Sequence, residues 1–284
     1  REARPLHHQD DRSTEVWDPR QRRPDCVISA TFNARRSEGR AALVPYITAG
    51  YPSKDSTVEA LVSLAEAGAD VIELGIPFSD PLADGPTIQK SSFESLAGGT
   101  TVQSVLSDIA IFRESHETPV VIFTYLNPVF SYGVGAFLSA AHEAGANGLL
   151  LTDLPTGADH DLERQIIDSP IDLIRLVAPT TPPERVAAVA EGGSGFLYYI
   201  SRTGVTGART ELSSSLADEV AAVRSAVQLP VAVGFGISTP DQASEVARLA
   251  DGVVVGSALV RILGEHGVKA GADFVAGLRA GMDD

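Results

Sequence analysis

Three times along this chain a stretch with helical spacing closes on a phrase of small residues and passes directly into an apolar run: EAGAD before Val71, EAGAN before Gly148 and RLADG before Val253. From Ala41 onward the chain extends this repeat. Short β-branched or apolar runs fit strands at 42–48, 70–76, 119–124, 148–152, 171–177, 195–200, 230–234 and 252–256. Ala-rich stretches with helical spacing lie between them, at 57–67, 87–97, 102–114, 135–144, 159–167, 183–190, 215–227 and 240–250, and a last one covers 269–280. Eight β/α alternations in about 240 residues match an α/β chain closed as a (β/α)8 TIM barrel; a doubly wound open sheet is the alternative. The barrel is expected to occupy residues 40–284 as a single catalytic domain.

Residues 1–39 break the pattern. They are rich in Arg, Asp, Pro and Ser without sustained apolar periodicity, and are expected to form a mobile or loosely attached N-terminal extension. Their arginines raise the alternative of an organellar transit peptide, against which the acidic residues argue. The formal charge of the chain is −15, and beyond residue 40 the balance is 13 basic to 30 acidic residues, or −17. Such a body repels nucleic acid and anionic membrane, so neither is expected as a partner. The longest apolar runs, 120–123 and 252–256, fall far short of the ~20 residues that span a bilayer. The single cysteine, Cys26, excludes an internal disulfide and fits a reducing, cytoplasmic setting.

The run DVIELGIPFSDPLADGPTIQ, residues 70–89, carries the chemistry. In a βα barrel the outward side chains of a strand meet the helices, and the inward ones near its carboxyl end line the mouth where active sites form. Ile72, Leu74 and Ile76 make the outward face, which turns Val71, Glu73 and Gly75 inward. A charge left unpaired there is costly, so Glu73 is either a proton-exchanging acid or a structural carboxylate paired with an Arg or fixing a loop. Asp80 and Asp84 occupy the loop leaving the same strand. A desolvated Glu with a raised pKa beside a better-solvated Asp suits general acid/base work, whereas Asp beside Pro81 and Gly85 also suits simple turn formation. The three lysines, Lys54, Lys90 and Lys269, fall in helices or loops rather than at strand ends, and the six histidines are scattered. No Schiff base and no metal is therefore expected, and carbon-bond chemistry should run on proton transfer.

At the other rim, strand seven leads into VGFGIST and strand eight into GSALV, so glycines follow two neighbouring strands and a helix begins after Ser257. Backbone amides at this place form the recurrent phosphate grip of the fold, although Gly234, Gly236 and Gly256 also suit ordinary tight turns. A third loop, SRTGVTGARTELSS at 201–214, is long enough for a lid or for a plain mobile connection.

These segments carry a specific resemblance. PYITAGYP (45–52), ELGIPFSDPLADGPTIQ (73–89), YLNPVFSYG (125–133), SRTGVTGAR (201–209), VGFGIS (233–238) and GSALV (256–260) together resemble the tryptophan synthase α subunit family, in order and across roughly residues 41–263. The resemblance implies retro-aldol cleavage of indole-3-glycerol phosphate to indole and glyceraldehyde 3-phosphate. By motif position Glu73 resembles the family's general acid/base, Asp84 its second carboxylate and Tyr198 its active-site tyrosine, on the strand face of Phe196. The phosphate is expected on Gly207, Gly236, Gly256 and Ser257. Tyr46 and Phe235 are expected as walls of the indole pocket or as simple core packing. By similarity Asp80 and Pro81, with Arg202 and Thr206 of the lid, should signal to a β subunit in an α2β2 assembly. Pyridoxal phosphate would belong to that partner, with no cofactor in this chain. Tyr46 stands where Phe is frequent in the family, Leu126 where Ala is, Phe196 where Tyr is, and Thr156-Gly157 where acidic residues are. A non-catalytic allosteric subunit, or an enzyme acting on another phosphorylated indole or sugar, are the competing readings.

Overall fold

The computed structural model describes residues 26–201, 215–234 and 236–284. The element order is α1 (Val27–Ser37), β1 (Ala42–Thr48), α2 (Ser56–Glu66), β2 (Ile72–Gly75), α3 (Pro86–Ala97), α4 (Val102–Arg113), β3 (Val120–Thr124), α5 (Leu126–Tyr132), α6 (Val134–Glu143) and β4 (Gly148–Leu151). It continues with α7 (His160–Ile167), β5 (Asp172–Val177), α8 (Pro183–Ala190), β6 (Leu197–Ile200), α9 (Leu216–Ala226), β7 (Val231–Gly234), α10 (Pro240–Leu249), β8 (Gly252–Val255) and α11 (Ser257–Asp283). The eight strands pair in sequence order, all parallel, and β8 returns to β1 through Ala42↔Gly252 and Pro45↔Val255. The closed barrel is thus the one the alternation announces, not the open sheet.

Alternation along the strands sorts the core into two shells. Leu43, Ile72, Leu74, Ile122, Leu173 and Val253 belong to the shell between strands and helices. Val44, Val71, Val121, Leu150, Phe196 and Val254 form the interior of the barrel. Full burial on both strand faces explains why the strands read as continuous apolar runs. Helices start where the chemistry favours it: Thr101 and Asp159 cap α4 and α7 by accepting from the amides of Ser104 and Leu162, which satisfies donors that a helix leaves unpaired.

The N-terminal boundary differs from the expectation. Residues 27–37, assigned from sequence to a loose extension, form α1, whose Ile28 and Phe32 are fully buried in the barrel interior. Phe32 stacks on Phe196 at 5.1 Å between ring centroids, and Arg36 pairs with Asp251 at 2.6 Å. One apolar pair at i and i+4 among arginines is too short a periodic signal to stand out, yet two large side chains suffice to close the floor of the barrel. Residues 1–25 lie outside the described residues. A second unannounced helix, α5, arises within YLNPVFSYG directly after β3.

Candidate active site

The carboxyl ends of the strands surround a cavity of about 480 Å³. Glu73 enters it from β2, in register with Tyr46 of β1. Its inward orientation follows from the parity that sends Ile72 and Leu74 to the helices. Glu73 is 1% exposed, and its Oε1 has no hydrogen-bond partner among the described residues. Burial alone pushes the carboxyl up to about 8. The pairing with Arg that a structural role would need is not found among the described residues. A carboxyl in this environment keeps its proton at neutral pH and can donate it.

Asp84 reaches the same cavity from the loop between β2 and α3. Burial pushes its carboxyl up to about 6, opposed by a hydrogen bond that the Tyr125 hydroxyl donates to Oδ2 at 3.0 Å. The Tyr125 oxygen in turn accepts from the Ala83 amide at 3.1 Å, and Gln89 Nε2 donates to the Asp84 carbonyl at 2.9 Å. Asp84 is therefore held from both its side chain and its backbone. The two carboxyl groups are driven apart by environment, one neutral and one ionised near pH 7, an arrangement chemically suited to an acid beside a charge stabiliser.

Tyr198 faces the cavity from β6, on the face of Phe196, while Tyr199 points outward and donates to Glu219 at 2.6 Å. Burial, and then the nearby Glu73 carboxyl, hold the Tyr198 phenol well above its ordinary pKa, so it stays protonated. The ring needs the absence of a side chain at Gly234, where a Cβ would stand 2.2 Å from the Tyr198 hydroxyl. Tyr46 lines the cavity and is also 6% exposed, so wall and core packing coincide in one residue. Its ring meets Phe123 edge-on at 5.1 Å.

Gly236, Gly256 and Ser257 line the same cavity. Gly236 has φ 79°, a left-handed conformation that favours glycine. Gly256 caps α11 and Ser257 is its first residue, so the amides of its first turn have no partner inside the helix and are available to an anion. Of the remaining expected residues, Arg202, Thr206, Gly207 and Phe235 lie outside the described residues. Asp80 is exposed and Pro81 buried, and neither lines the cavity. None of the three lysines lines it either. Among the described residues no group of three His, Cys, Asp or Glu is placed to hold a metal ion.

Tyr125, Gln89, Phe123 and Arg261 join the site or its supports without an expected role of their own. Tyr125 and Phe123 sit at the end of β3, where position alone was a signal; the contacts of Gln89 and Arg261 become visible only once α3 and α11 are in place.

Comparison with known proteins bears on the chain as a whole. The sequence profile of a family described as "Tryptophan synthase alpha chain" matches residues 32–276. A tryptophan synthase alpha chain from Citrifermentans bemidjiense is 48% identical over 259 residues, covering 90% of this chain and 97% of that protein. One from Burkholderia thailandensis is 48% identical over 261 residues, covering 90% and 96%. Among solved structures, the tryptophan synthase subunit alpha of Legionella pneumophila superposes with a TM-score of 0.85 at 36% identity, over 91% of this chain and 99% of that one. An aminoacrylate-bound tryptophan synthase from M. tuberculosis gives a TM-score of 0.82 at 36% identity, over 91% and 100%.

Proposed function

The chain belongs to the tryptophan synthase alpha chain family, the lyase that cleaves indole-3-glycerol phosphate, and from that premise we propose how its own residues carry the reaction. Glu73, protonated by virtue of its burial, delivers its proton to C3 of the indole ring. The resulting indolenine accepts the electron pair of the breaking carbon–carbon bond. Glu73, now a carboxylate, takes the proton of the side-chain hydroxyl as the aldehyde forms, so the cycle needs no net acid or base. Asp84, ionised, accepts a hydrogen bond from the indole N–H and stabilises the positive charge that develops there. Tyr125 is a positioning residue for Asp84, and Tyr198 shapes the wall next to Glu73. Tyr46, with Phe235 beyond the described residues, completes the indole pocket, and the phosphate lies on the amides at Gly236, Gly256 and Ser257, joined by Gly207. The observation that carries this reading is the pair of carboxyl groups pushed to about 8 and about 6 in one cavity.

The alpha chain works with a β subunit. We place the contact on the cavity-mouth side, where Leu82 is 85% and Phe130 52% exposed, next to Asp80 and Pro81, with Arg202 and Thr206 of the lid reporting occupancy. An α2β2 assembly, pyridoxal phosphate held by the β partner and a cytoplasmic location complete the proposal. No helix among the described residues is long and apolar enough to cross a membrane. Residues 40–284 act as one catalytic domain, with α1 as its floor.

Measuring indole release from indole-3-glycerol phosphate by the purified chain, alone and with β subunit, tests the reading. Slow release alone and faster release in the complex are expected. No indole in either condition, with ligand binding retained, would instead favour a non-catalytic partner subunit.

A further inference from the structure

The protein body is acidic, and the cavity presents two carboxyl groups, yet its proposed substrate is a dianion. Backbone amides bind such a group once it arrives but do little to attract it from solution. Among the described residues lining the cavity, the only cationic side chain is Arg261. It stands four positions after Ser257 and three after Ala258 on α11, which puts all three on one helix face. Because side chains on a helix lean toward its amino end, the Arg261 stem is directed back toward the first turn that forms the phosphate end. Its side chain is 57% exposed, and its nearest acidic partner is Glu265 at 3.8 Å, beyond hydrogen-bond reach. The guanidinium donates no hydrogen bond to any described residue, so only the long, exposed ion pair with Glu265 competes with an anion for it.

We propose that Arg261 is a substrate-binding residue that draws the phosphate of the substrate to the amino end of α11 and hydrogen-bonds it there, setting the preference for a phosphorylated over an unphosphorylated ligand. This rests on the phosphate placement above. The guanidinium matches a phosphate with two parallel donors, which an ammonium does not. In the absence of substrate it rests beside Glu265, whose charge keeps it near the rim. The contact is remote from the carbon–carbon bond being cleaved, so it acts on binding rather than on the chemical step.

The test compares Arg261→Gln, Arg261→Lys and Ser257→Asp in the complex with β subunit, reading KM and kcat for indole-3-glycerol phosphate together with inhibition by indole-propanol phosphate and by indole-propanol. Arg261 is exposed and Asp is favourable in the first turn of a helix, so all three variants are expected to fold. Arg261→Gln should raise KM about fivefold at low salt with kcat nearly unchanged, weaken indole-propanol phosphate by a similar factor and leave indole-propanol unaffected; added salt should shrink the difference. Arg261→Lys should recover part of the loss. Ser257→Asp should raise KM more than either. An unchanged KM in Arg261→Gln beside a raised one in Ser257→Asp overturns the role of Arg261 and leaves the phosphate placement standing. Unchanged values in both would overturn the placement itself, and equal losses for the phosphorylated and unphosphorylated inhibitors would show that Arg261 does not read the phosphate.

Discussion

Glu73 and Asp84 are the same functional group in two solvents. Glu73 has lost water without gaining a cation, and its carboxyl rises to about 8; Asp84 has lost part of its water and gained a donor in Tyr125, and rises only to about 6. In the proposed cycle Glu73 must begin protonated and Asp84 ionised. As pH rises through about 8 Glu73 loses the proton it has to deliver, and as pH falls through about 6 Asp84 gains one it should not carry. A bell-shaped profile of kcat/KM with limbs near those two values is therefore expected, measured at constant ionic strength; a profile flat from about pH 5 to about pH 9 contradicts the assignment. The inward aim of Glu73 was legible in the sequence because strand parity fixes it. The restraint on Asp84 was not, since it depends on a hydroxyl brought from the end of β3 to the neighbouring loop by the pairing of β2 with β3.

At the scale of elements, the eight strands and most helices could be read from apolar runs and small-residue junctions, with limits that shift by a few residues at most ends, where hydrogen bonding rather than composition decides; α11 is the exception, because the expected 269–280 continues a segment that begins at Ser257 and bends at Gly267. The two helices that escaped, α1 and α5, are those whose identity depends on tertiary contact. α5 has only seven residues. α1 is stabilised by inserting Ile28 and Phe32 into the barrel floor, against Phe196 and beside Gly252, where a Cβ would stand 2.6 Å from the Phe32 ring. Phe32→Ala should thus behave as a core truncation, lowering stability by about 3–4 kcal/mol in denaturant unfolding. A loss under about 1 kcal/mol would mean that α1 merely adheres to the barrel.

The whole molecule combines an acidic body, a closed barrel and one cavity that offers two kinds of chemistry. Alternation along β2 turns Glu73 inward, and closure of β8 onto β1 brings the loops after β7 and β8 beside β1 and β2, so the candidate anion-holding and proton-exchanging groups share one space. Fold and reaction were legible together because the same segments, residues 73–89 and 233–260, build both. The measurement that bears most directly on the central claim is the turnover of Glu73→Gln in the complex with β subunit, alongside its affinity for indole-propanol phosphate. The amide keeps the shape of the side chain but cannot give and retake a proton, so indole release should fall by at least about 10³-fold while the inhibitor still binds. Turnover near that of the unaltered chain would show that the proton comes from elsewhere.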